Sequence, residues 1–268
     1  MNHSLQAYLA TREALLLEII QTLLMDERFV AAWLTGSLGR QDADAVSDLD
    51  LSVVVSNAYS DVLCARPEQV SAQTTKERLG LFSKFGQPVV IHENHQNAPE
   101  GGTFTFVLYQ SSALMVDWIL IPHTKAQRPP HSRLLFDQVN VPVSPETEPE
   151  SLAQRAKMAS NLVAFFWMMA AVTAKNMIRR NDVFVTCWLE ELHRMLRELD
   201  RLIAGETWQY LRGSIHVLEP THEGQINALK QLCDRMSKRM LEVAMLGGHV
   251  LPSPMPTIDK LLSLCDGA

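Results

Sequence analysis

Two aspartates, Asp48 and Asp50, stand one residue apart at the head of the run Leu49-Asp-Leu-Ser-Val-Val-Val55. Strand side chains alternate between faces, so these carboxylates share one face, about 7 Å apart along the chain, while Leu49 and Leu51 turn to the other. Two carboxylates converging in this way can hold a divalent metal. Upstream, Gly36 lets the backbone approach a ligand closely. Ser37 adds a hydroxyl and an amide where a helix starts, and the free N–H groups of a helix start favour phosphate oxygens. These types and spacings place a metal site and a phosphate site side by side.

Positioning them requires a strand over Val30-Ala-Ala-Trp-Leu34, a glycine turn, a short helix start, and a second strand opening on the aspartates. Gly36-Ser37, ten intervening residues, then Asp48-Leu-Asp-Leu51 resembles the nucleotidyltransferase superfamily of the DNA polymerase beta-like type, whose signature is Gly-Ser followed by Asp-hydrophobic-Asp. Arg40, Asp44 and Ser47 extend the likeness to its small antibiotic-modifying members. The segment from Leu81 to Pro122 is similar in element order to aminoglycoside 6-adenylyltransferases, whereas Leu38 to Ser47 is nearer to streptomycin/spectinomycin and lincosamide nucleotidyltransferases.

The resemblance implies a third carboxylate on a neighbouring strand, and Asp117 in Ala113-Leu-Met-Val-Asp-Trp-Ile-Leu-Ile-Pro122 supplies it. An unpaired aspartate in a buried strand is costly unless a metal or other charge offsets it; the alternative is an edge strand with Asp117 turned to solvent. The implied reaction is magnesium-dependent transfer of AMP from ATP to a hydroxyl of an aminoglycoside or related antibiotic, with release of pyrophosphate. Asp48 and Asp50 hold Mg2+ on the triphosphate, and Gly36, Ser37 and Arg40 orient its outer phosphates. Asp117 completes the shell of a second metal or takes the hydroxyl proton, and both roles stay open. Glu93 is the rival general base, because the comparable strand end lies near the acceptor hydroxyl in the resembling families.

His92-Glu93-Asn94-His95 contains possible metal ligands, but it leads from a strand into a loop where polar residues are ordinary. Lys175-Asn-Met-Ile-Arg179-Arg180-Asn-Asp182 resembles a cation-and-acid junction in the helical domain of antibiotic nucleotidyltransferases. Lys175 and Arg179 would meet the triphosphate, and Asp182 or Glu190 an ammonium group of the acceptor. The plain reading of the same stretch is a helix end with basic residues against the dipole and Asp182 capping the next helix. Phe165 to Met169 reads as core. Gly101-Gly102 and Gly247-Gly248 lack the setting of a dinucleotide fingerprint, and no Walker sequence is present.

The expected fold is α+β: a nucleotidyltransferase domain over 1–140, with a mixed sheet flanked by helices, then a helical substrate-binding domain over 150–268 that closes the site. Strand-like runs fall at 30–34, 49–55, 88–92, 104–109 and 114–121. Apolar residues at helical spacing cover 5–25, 151–180, 183–204, 222–246 and 257–265. The proline-rich stretch between, over 125–150, reads as a connector.

A net charge of −6 and a pI near 5.8 offer no basic stripe for a phosphate backbone, so nucleic-acid substrates are not expected. Cys64, Cys187, Cys233 and Cys265 show no paired spacing and read as free thiols of a cytoplasmic protein. The apolar run Leu162–Val172 is too short to span a membrane. A monomer or homodimer is expected. Two other readings compete: a nucleotidyltransferase that modifies a protein, as in toxin–antitoxin pairs, and a catalytically idle nucleotide-binding module. A phosphoacceptor aspartate fits poorly, because it leaves the Gly-Ser turn without a role.

Overall fold

A computed structural model describes residues 3–67, 72–146, 148–207 and 221–264. The chain divides into two units, Met1–Glu146 and Thr147–Ala268. The first runs α1 (His3–Leu24), β1 (Phe29–Leu34), α2 (Gly36–Arg40), β2 (Leu49–Val55), α3 (Ser60–Leu63), α4 (Lys76–Phe82), β3 (Pro88–Glu93), β4 (Thr103–Tyr109), β5 (Met115–Pro122) and β6 (Arg133–Asp137). Its strands form one mixed sheet in the order β3-β4-β5-β2-β1-β6, with β2 and β5 parallel and the other pairs antiparallel.

Strand patterning determines how each face is covered. In β2, Leu49 and Leu51 are buried while Asp50 is only half-buried, and then Val53, Val54 and Val55 are all buried. An alternating start followed by a continuous apolar run means that one face is covered near Asp50 and both faces are covered further along. The fully covered face packs Leu15, Leu16, Ile19 and Leu23 of α1 and Leu81 and Phe82 of α4 on Leu51, Val53, Val107 and Trp118. On the other face a small cluster, Ala31, Trp33, Val54, Ile121, Ala126 and Val141, covers only the far end of β1, β2 and β5.

That second cluster corrects the reading of 125–150 as a connector. Arg133–Asp137 pairs antiparallel with β1 as β6, and Arg128 bridges Val143, so the proline-rich stretch is bound to the sheet. A three-residue apolar core between prolines and charges is a weak strand signal, and such a strand is tolerated because it lies at an edge.

The second unit contains α5 (Leu152–Ile178), α6 (Asp182–Ala204), α7 (His222–Met245) and α8 (Met255–Leu262). Ser151 and Gln154 form a capping box at the start of α5, and Asn181 caps α6 by accepting from Phe184 N–H. Val185, Leu189, Leu192, Leu196 and Leu199 make the buried stripe of α6, which packs on Val163, Phe166, Ala170 and Met177 of α5 and on Leu229, Cys233, Met236 and Met240 of α7. This architecture is an α-helical bundle.

By length and composition α5 could cross a membrane, with 44% of its most apolar window buried in the protein, so the apolar run 162–172 is the centre of a longer helix. Phe166, Trp167 and Met169 are core, but Phe165 and Met168 are exposed, which corrects their reading as core. Cys265 lies outside the described residues.

Candidate active site

β2 and β5 run parallel with Asp50 directly opposite Asp117. Direct partners share a face, with backbones about 4.8 Å apart, so the two carboxylates stand side by side on the sparsely covered face. Asp48 precedes β2 by one residue, two back from Asp50. β5 is an interior strand and Asp117 is 8% exposed, so the solvent-facing alternative for this residue does not hold.

Gly36 has φ +56, the left-handed region, and a Cβ built on it would collide with the Asp50 carboxylate. The turn after β1 therefore lies directly on that carboxylate, as only glycine allows. Thr35 N–H donates to the Asp50 carbonyl at 2.9 Å, tying the end of β1 to the same residue. In α2, Gly39 N–H is the first to close on Thr35, at 2.8 Å, which leaves the amides of Gly36, Ser37 and Leu38 without intrahelical acceptors. Gly39 also sits against the Leu34 carbonyl, so α2 hugs the strand end. Arg40 is exposed, 3.4 Å from Asp42, and close enough to Asp50 to favour its charged form.

The electrostatics are those of clustered, partly buried negative charge that Arg40 and Arg12 offset only in part. Burial, then Asp50 and Asp48, push the Asp117 carboxyl up to about 7. Burial and Asp48 raise Asp50, while Arg40 acts the other way. Burial and Asp44 raise Asp48, opposed by Arg12. Asp117 Oδ1 is buried and has no hydrogen-bond partner. A buried acceptor of this kind beside two further carboxylates suits a cation or a proton. Among the described residues, no three His, Cys, Asp or Glu side chains form a metal-holding group by themselves. Asp50 and Asp117 would offer two carboxylates, and Mg2+ sites are commonly built from one or two carboxylates with substrate phosphates and water completing the shell.

Glu93 is not part of this group. It pairs with Thr105, which pairs with Trp118, so its side chain points to the helix-covered face, opposite Asp50 and Asp117. There its carboxylate meets the fully buried Arg78, Nη2 at 2.5 Å and Nε at 2.8 Å, and accepts from Thr74 at 2.7 Å. The expectation of a general base at Glu93 is corrected by this alternation. His92, at the end of the strand-like run 88–92, continues the carboxylate row: His92 pairs with Phe106, Phe106 with Asp117, and Asp117 with Asp50. Phe104 and Phe106, with ring centroids 6.1 Å apart, are half-buried on the same face.

In the helical unit Lys175, Arg179, Asp182 and Glu190 are all exposed, and no ion pair joins them among the described residues. Lys175 lies in the last turn of α5, Arg179 ends it, and Asp182 opens α6. The cap is Asn181 rather than Asp182.

Sequence reasoning missed Arg12, which lies within the helical pattern 5–25 and is buried against the loop leading to Asp48. Nothing local in the sequence marks it. No protein-family model matches the chain, and no curated protein sequence matches it.

Proposed function

We propose that the first unit is a magnesium-dependent nucleotidyltransferase that moves a nucleoside monophosphate, AMP from ATP in the first instance, to a hydroxyl of a small molecule. The observation that carries this reading is the Asp50–Asp117 pair, with the Gly36 turn lying on the Asp50 carboxylate. An aminoglycoside or related antibiotic as acceptor is supported by the sequence resemblance alone.

Asp50 and Asp117, with Asp48 beside them, are the groups that would hold magnesium. When bound with the triphosphate, the ion neutralises phosphate charge and polarises the α-phosphate. The amides of Gly36 and Ser37 and the Arg40 guanidinium would meet the outer phosphates. The acceptor oxygen forms its bond to the α-phosphorus as the bond to the β-phosphate oxygen breaks, and pyrophosphate carries away that electron pair. The hydroxyl proton passes to a carboxylate oxygen, and Asp117, whose buried Oδ1 has no hydrogen-bond partner, is the candidate.

Direction follows from in-line displacement. α2 packs against β1, β2 and β6, on one side of Asp50, so the leaving pyrophosphate belongs on that side. The acceptor then approaches from the β4 side, over Phe106 and towards His92.

The test is magnesium-dependent pyrophosphate release from ATP with aminoglycosides, spectinomycin and lincosamides, run beside Asp50→Asn. The substitution removes charge and little volume, so a folded variant should lose nearly all turnover. Release that survives it would defeat the assignment, as would wild-type silence with every acceptor.

A further inference from the structure

Two side chains of α1, one turn apart, reach the two loops from which the aspartate-bearing strands begin. Arg12 is 3% exposed, and its Nη1 donates to the Asp44 carbonyl at 2.8 Å and the Ser47 carbonyl at 3.0 Å. The turn that it holds is also closed from within: Asp44 Oδ1 accepts from Val46 N–H and from the Ser47 hydroxyl, and Ser47 Oγ accepts from Asp44 N–H. Asp48 is the next residue. Tyr8 Oη donates to the Ala113 carbonyl at 3.3 Å. Ala113 has φ +53 in the tight β4–β5 turn, where Tyr109 N–H donates to Leu114 and Ala113 N–H to Tyr109. Asp117 follows four residues later.

Positions i and i+4 of a helix stand on one face, roughly 6 Å apart. Tyr8 and Arg12 therefore act from a single rigid edge on two loops that are distant in sequence. We propose that α1 is a working part of the magnesium–nucleotide site, with Tyr8 and Arg12 as positioning residues that set the separation between Asp48 and Asp50, at the head of β2, and Asp117 on β5. This rests on reading those carboxylates as the magnesium site.

The chemistry of Arg12 separates this role from a plain helix anchor. Its Nη2 meets Glu13 at 3.2 Å, a carboxylate half exposed to solvent, and its Nε is buried without a partner. A buried guanidinium whose one carboxylate partner is half exposed is costly, and the two loop carbonyls offset that cost. The loop that Arg12 grips through them leads directly into Asp48. Nη1 holds both carbonyls in the guanidinium plane while Nη2 reaches Glu13, and a lysine ammonium keeps the charge but not this fixed three-way geometry.

The experiment uses the full chain as wild type, Arg12→Met, Arg12→Lys and Tyr8→Phe, each checked for folding by circular dichroism. Two readouts are taken: binding of Mn2+ alone by electron paramagnetic resonance, and hydrogen exchange of the amides over 42–49 and 112–117. Arg12→Met should exchange faster over 42–49 and bind Mn2+ at least about tenfold more weakly, the range typical of groups that support metal ligands. Arg12→Lys should recover part of the affinity but keep the faster exchange. Tyr8→Phe should loosen 112–117 alone. Unchanged Mn2+ affinity in a folded Arg12→Met variant, or unchanged exchange over 42–49, overturns the proposal and leaves the magnesium reading standing. No Mn2+ binding by the wild type overturns both.

Discussion

Asp50 and Asp117 are direct partners across the parallel β2–β5 pair, and Asp117 Oδ1 is buried without a hydrogen-bond partner. The cost of that placement depends on pH. Asp117 titrates near 7 in the fold, against about 3.9 in an unfolded chain, so the folded state binds its proton more tightly. The stability this proton gives is fully present below about pH 4, is lost as pH rises towards 7, and is absent above, a loss of as much as about 4 kcal/mol. In chelator-treated protein, Asp117→Asn should therefore become progressively more stable than wild type between pH 4 and 7, as read by urea denaturation. A stability difference that does not change with pH would contradict the burial and charge argument. Millimolar Mg2+ at pH 8 should stabilise the wild type and not Asp117→Asn.

The Gly36 turn gives an independent test. Alanine at φ +56 costs about 1–2 kcal/mol from the backbone alone, and its Cβ would also collide with the Asp50 carboxylate. Gly36→Ala should lower the urea midpoint and nearly abolish turnover, because relief requires either the turn or Asp50 to move. Gly247→Ala is a useful control. It has φ +91 with open space around its Cβ position, so it should carry the backbone cost without loss of activity.

Much of this was legible in the sequence for a physical reason: periods of 2 and 3.6 residues are local. They located β1 to β5 and the bundle helices, and they put Asp48 and Asp50 on one face at the head of β2. What failed was what depends on distant partners. β6 is short and its proline-flanked pattern carries little signal, and only pairing with β1 makes it a strand. Period-2 alternation says that His92 and Glu93 face opposite ways, but which one shares a face with Asp117 is fixed by registers across β3, β4 and β5. The burial of Arg12 and Arg78 is not written locally, because the carbonyls and carboxylate that accept from them lie far along the chain.

At the α5–α6 junction, hydrogen bonding separates the structural residue from the candidate ligands. Asn181 accepts from Phe184 N–H, and its side-chain amide reaches the buried Asn176 at 3.3 Å. Asn181→Ala should cost about 1 kcal/mol in thermal or urea unfolding. Arg179→Ala and Asp182→Asn, both exposed, should change stability by less than about 0.5 kcal/mol. If either position contacts nucleotide or acceptor, the effect will appear as a raised KM at unchanged stability. An unchanged KM in both would remove the junction from the site.

His92 and Glu93 offer the sharpest contrast, because one peptide bond separates opposite expectations. Glu93→Gln leaves the fully buried Arg78 guanidinium without its carboxylate, and breaking a buried pair from one side costs about 3 kcal/mol or more. The folded fraction should nevertheless keep its kcat, since that carboxylate faces away from Asp50 and Asp117. His92→Gln should leave stability within about 0.5 kcal/mol, because the imidazole is exposed on the sheet. With the acceptor that wild type uses, it should raise the acceptor KM or lower kcat while the KM for ATP stays put. If Glu93→Gln instead abolishes turnover in a stably folded protein, the β3 register drawn here is wrong by one residue, and the acceptor face must be reassigned.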